Sequence, residues 1–129
     1  MYKETEQFED IVAKAFTRLP KRFRSLVKNV ALLTEDTVSE QVRREMNLSK
    51  DKDLLGLYRG VPRTKRHNDA GFAFPDTITL YRLPIERRAR ATKKTVFEVV
   101  YETLWHEIGH HFGLGEEEVR KREKELFGS

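Results

Sequence analysis

Residues 95–118 read TVFEVVYETLWHEIGHHFGLGEEE, and they constrain the fold more tightly than any other part of the chain. Phe97, Val100, Tyr101, Leu104 and Ile108 recur at three- and four-residue spacing, the pattern of a helix with one apolar stripe. The pattern predicts a helix from Thr92 or Thr95 to Phe112, its stripe facing a sheet. Thr95 and Glu98 suit a capping box at its start, and Gly113 suits the left-handed residue that ends a helix. Residues 106–118 also hold three of the chain's four histidines together with four glutamates.

His106-Glu107-x-x-His110 is an HExxH pattern. At 100° per residue its two histidines project about 40° apart on the helix flank, so both imidazoles can reach one zinc ion. Glu107 points sideways toward the position a water would take on such an ion, where a carboxylate can act as general base. A third protein ligand is needed. Thermolysin-like enzymes take a glutamate from a second helix well downstream, and little chain follows here. The metzincin frame HExxHxxGxxH places Gly113 in its glycine slot and Glu116 in its last ligand slot, and a carboxylate can replace that histidine. The methionine turn of metzincins has no counterpart, because the two methionines, Met1 and Met46, both lie upstream. The expected metal set is therefore His106, His110 and Glu116 around one Zn2+, with Glu117 as the alternative third ligand.

Outward from this helix, TEQFEDIVAKAFTRL (5–19) carries Phe8, Ile11, Val12, Ala15 and Leu19 at helical spacing, stopped by Pro20. LVKNVALLT (26–34) reads as a short buried strand, and Thr37 with Glu40 as the cap of a helix running to about Met46. LLGLYRG (54–60) reads as a second strand. TITLYRL (77–83) alternates as a half-buried third strand, closed by Pro84 and flanked by charges that suit a sheet edge. An extended peptide is expected to add beside that third strand. VPRTKRHNDAGFAFPD (61–76) is a long loop of the kind that is usually functional, and residues after Gly113 can form a last exposed helix. The order predicts one α+β domain over residues 1–129, with a small mixed sheet packed on helices.

LLGLYRGVPRT (54–64), DTITLYRLPIE (76–86) and HEIGHHFGLGEEE (106–118) together resemble the minimal zincins, small bacterial zincin-like metallopeptidases. The likeness spans about residues 20 to 118. It implies a compact zincin fold, one zinc held by HExxH and a downstream carboxylate, and peptidase chemistry with Glu107 as general base. The downstream carboxylate is commonly aspartate in such sequences, so Glu116 is one methylene longer and Glu117 stays in play.

The remaining features set bounds. With no cysteine, disulfides and thiolate metal sites are excluded. No apolar run resembles a signal peptide or a membrane span, so a soluble, cytoplasmic monomer is expected, acting on a peptide or protein. Net charge is +4, and basic runs occur at 18–28, 59–66 and 82–94. A solvated surface is the expected role of these runs; a rival reading is a non-catalytic zinc-bearing scaffold that docks RNA, a ribosome or a protein on them. His111 projects about 140° from His106, too far round to share its metal, and a hydrogen-bonded, partly buried histidine is expected. His67 is expected at the surface of the long loop. Tyr58 and Tyr81 are candidate oxyanion stabilisers or simply sheet aromatics.

Overall fold

In the computed structural model, residues 4–27, 29–60 and 75–111 are described. Helix α1 (Glu4–Thr17) is followed by α2 (Lys21–Leu26), β1 (Val30–Glu35) and α3 (Glu40–Glu45). Strands β2 (Gly56–Arg59) and β3 (Asp76–Tyr81) then lead into α4 (Arg82–Thr92) and α5 (Val96–His111). The fold is α+β with a small mixed sheet, as expected.

The sheet order is β1-β3-β2. β1 pairs with β3 in parallel, Val30 opposite Asp76 through Glu35 opposite Tyr81. β2 pairs with β3 in antiparallel sense, Gly56 opposite Leu80 and Tyr58 opposite Ile78. This corrects the expectation that the strand at 77–83 is an edge open to a peptide. It is central and paired on both sides, and its alternation reflects two packed faces rather than one exposed flank. β1 is likewise displaced from expectation: it starts at Val30, lies at an edge, and leaves Leu33 about half exposed at 47%.

Side chains alternate across β3 with period two. Asp76, Ile78 and Leu80 lie on one face, and Ile78 and Leu80 are fully buried in the main core. That core joins Phe8, Val12 and Ala15 of α1, Ile85 and Ala89 of α4, and Val99, Val100, Leu104, Trp105 and Ile108 of α5. Each such side chain contributes ~1.5–3 kcal/mol relative to exposure if aliphatic and fully buried. Tyr81, on the opposite face, closes a smaller cluster with Val38 and Val42.

α5 is buried on more sides than its stripe implies, since Val99, Thr103 and Trp105 are covered as well. It packs against α1, α4 and β2. Thr95 caps it by accepting a bond from the Glu98 N–H at 3.0 Å. Two local expectations need correction. The cap of α3 is Ser39, whose hydroxyl accepts from the Val42 N–H at 3.2 Å, and not Thr37. Pro84 does not close a structured segment: it sits in the first turn of α4, where the missing N–H costs nothing. α4 is anchored from a distance, with Leu83 N–H donating to the Asp36 carbonyl at 3.0 Å and Arg82 Nε to the Asp36 carboxylate at 2.9 Å. No helix among the described residues is long and apolar enough to cross a membrane.

Candidate metal centre

The C-terminal half of α5 carries two side-chain pairs, each one turn apart. Residues four apart on a helix are surface neighbours. His106 and His110 form the first pair, their rings nearly parallel at 15° with centroids 5.9 Å apart. Glu107 and His111 form the second, rotated by about 100° from the first. His106 and Glu107 are partly buried, while His110 and His111 are exposed.

The second pair faces β2. Gly56 lets that strand approach closely, because a Cβ there would lie 2.9 Å from Thr103 Cγ2 and 3.2 Å from the Thr79 carbonyl. At Tyr58 the strand turns its N–H away from β3, and this N–H donates to Glu107 Oε2 at 3.2 Å. In an antiparallel ladder, residues two apart repeat the same direction, so the backbone groups of Gly56 also face away from β3. The Tyr81 N–H donating to the Leu55 carbonyl at 3.0 Å fixes the inward phase. β2 is thus the sheet edge next to the HExxH residues.

Burial raises the Glu107 pKa above the ordinary carboxylate value; the Tyr58 N–H bond and the nearby His110 oppose that rise without cancelling it. A carboxyl so poised is suited to taking up a proton and releasing it again.

His111, expected as a hydrogen-bonded, partly buried histidine, lies more open than that and packs against β2. Its side chain is 37% exposed, and it stacks on the Tyr58 ring at 3.7 Å between centroids and 15° between planes. Its Nε2 lies 4.0 Å from Asp76 Oδ2. The Tyr58 hydroxyl donates to the same Oδ2 at 3.0 Å. Tyr81 is buried, and that burial, with Glu35 and Glu107 nearby, pushes its phenol pKa up. It is a sheet aromatic.

Asp76, expected as the last residue of the long loop, is the first residue of β3. Its signal was available: Asp76, Ile78 and Leu80 share one parity, which places an acid on the inward face. The Tyr58 amide left no signal in side-chain chemistry at all.

The donor set present fits a zinc ion. Two imidazoles a turn apart, parallel and 5.9 Å between centroids, can both ligate one ion at the usual ~2.0–2.1 Å, and a carboxylate stands beside them. Among the described residues no third His, Asp or Glu completes a metal group. Glu116, the expected third ligand, lies outside the described residues, as do Glu117, Gly113, His67, the loop at 61–74 and the expected last helix.

Comparison with known proteins bears on the family and the fold. No curated protein matches the chain. Among solved structures, a conserved hypothetical protein from Thermo thermophilus is similar in fold, with a TM-score of 0.53 and 22% identity, over 92% of this chain and 98% of that one. A family model described as zincin-like metallopeptidase matches residues 27–126, which takes in all three strands and the whole HExxH helix. The chain belongs to the zincin-like metallopeptidase family.

Proposed function

We propose that the protein is a zinc-dependent peptidase in which His106, His110 and Glu116 hold one zinc ion and Glu107 is the general base. Zinc bound by such ligands supplies a Lewis acid and lowers the pKa of an attached water toward ~7. Glu107 takes the proton of the attacking water and hands it to the leaving amine. Its partly buried setting, with the Tyr58 N–H on one oxygen, leaves the other oxygen for that proton traffic. The observation that supports this reading is that Glu107, bonded to the Tyr58 N–H of β2, shares the last turns of α5 with the nearly parallel His106–His110 pair.

The substrate is an extended peptide that adds to that edge. The outward-facing backbone of Gly56 and the carbonyl of Tyr58, whose N–H is taken by Glu107, provide the hydrogen-bonding rail, and strand addition needs no particular side chain for affinity. This assigns docking to β2 in place of the central β3. The site is expected to work in a soluble monomer in the cytoplasm.

A mixed peptide library digested by the zinc-loaded full chain, with and without a chelator, tests the reading. Cleavage that stops on chelation and returns with zinc supports it. An intact library alongside salt-dependent binding of bulk RNA replaces it with a non-catalytic scaffold working through its basic surface.

A further inference from the structure

Deepening the peptidase reading on which it rests, we propose that Tyr58 is a positioning residue that sets the orientation of Glu107, and that His111 serves as the platform for its ring. The two i,i+4 pairs on α5 then have separate tasks. His106 and His110 are the metal pair. Glu107 and His111 are the pair that Tyr58 spans, backbone N–H on the first and phenol ring on the second.

The geometry makes Tyr58 a three-point seat. β2 is only four residues long, and its ladder to β3 fixes it on one side alone. The remaining freedom is a tilt of the strand about that ladder, which would swing the Tyr58 N–H toward or away from Glu107. Two contacts oppose the tilt. The ring lies flat on the His111 imidazole, 3.7 Å between centroids, and the hydroxyl donates to Asp76 Oδ2 at 3.0 Å. Asp76 is a firm post: it is 6% exposed, sits in the central strand, and its own N–H donates to the Asn29 carbonyl at 3.1 Å. A residue 49 positions upstream of the base therefore holds it through a chain of contacts closed by His111.

This also accounts for the His-His doublet at 110 and 111. The second histidine is flat and aromatic, qualities that a stacking platform needs. Its Nε2 is turned toward Asp76, and its place on the helix is with Glu107 rather than with the metal pair.

The experiment measures hydrogen exchange at the residue 58 amide in the metal-free full chain, beside peptide-cleavage kinetics of the zinc-loaded chain. The variants are Tyr58→Phe, His111→Leu and His111→Phe. Loss of one contact should raise exchange at amide 58 about tenfold in Tyr58→Phe and in His111→Leu, the size expected for loosening one hydrogen bond. Core amides at Leu80 and Val100 should keep their protection, which separates a local tilt from a fold defect. His111→Phe keeps a flat ring and should restore protection at amide 58. In cleavage, kcat should fall about tenfold in Tyr58→Phe and His111→Leu at unchanged KM and zinc content, and recover in His111→Phe, again the scale of one loosened hydrogen bond. Unaltered exchange at amide 58 in both contact-removing variants overturns the proposal, as does His111→Phe behaving like His111→Leu. If the parent chain cleaves no peptide, the peptidase reading falls, and the exchange data alone still decide whether Tyr58 positions Glu107.

Discussion

Gly56→Ala should loosen the seat of the candidate site, and the loss should be reversible from the facing helix. The new methyl would stand 2.9 Å from Thr103 Cγ2 and 3.2 Å from the Thr79 carbonyl. Thr103 cannot simply rotate, because its hydroxyl donates to the Val99 carbonyl at 2.7 Å and fixes the rotamer. β2 must therefore move off α5, at the ~1–3 kcal/mol typical of inserting a methyl into a packed contact. Reduced chain entropy in the unfolded state offsets ~0.4–1 kcal/mol of this when glycine becomes alanine. A net loss on the order of 1–2 kcal/mol follows from these opposing effects. Urea unfolding followed by fluorescence reads it out cleanly, because Trp105 is the chain's one tryptophan and is 1% exposed beneath the site. Thr103→Ser removes the clashing methyl and keeps the hydroxyl, so Gly56→Ala with Thr103→Ser should lose less than the sum of the two single changes, by ~1 kcal/mol or more. Strict additivity, or a Gly56→Ala chain as stable as the parent, would refute the close approach of β2 to α5.

The same geometry carries three further expectations. Glu116→Ala should lose zinc on gel filtration while Glu117→Ala keeps it, as measured by elemental analysis; the reverse pattern would move the third ligand to Glu117. Arg82→Ala should destabilise by ~2 kcal/mol in urea unfolding, since a stem that is mostly buried goes and Asp36 and Glu86 lose their partner, and a loss under about 0.5 kcal/mol would show the anchoring of α4 to be incidental. Ser39→Ala should cost ~1 kcal/mol while Thr37→Ala costs almost nothing, because Ser39 is the residue that accepts from the first turn of α3.

The helix of the site was legible because its cues are local. A stripe at helical spacing, a threonine cap and an i,i+4 histidine pair all lie close together in the chain, and α5 has nearly the bounds they imply. What failed depends on partners far away in sequence. The alternation of residues 77–81 shows two unlike faces, yet it carries no information about how many neighbours the strand has, and β3 turned out to be central. α4 was missed because its start is satisfied by Asp36, 46 residues upstream of Arg82, while Pro84 resembles a stop when only its neighbours are considered. The neighbours of His111 are not legible for a related reason. Helical geometry separates it from the His106–His110 pair, but only the arrival of β2 shows what it faces. Asp76 marks the reverse case, a residue whose parity with Ile78 and Leu80 was readable and whose neighbours were not.

The central claim is that Glu107 moves the proton at a zinc site built on α5. The direct test compares the zinc-loaded parent with Glu107→Gln on one cleavable peptide, at matched and measured zinc content. An amide oxygen accepts the Tyr58 N–H as a carboxylate does, so the seat is preserved, but the amide cannot serve as the base. Equal zinc and a rate lower by about 10²–10⁴ are predicted for the variant, the usual contribution of a positioned general base. Equal rates at equal zinc would contradict the claim.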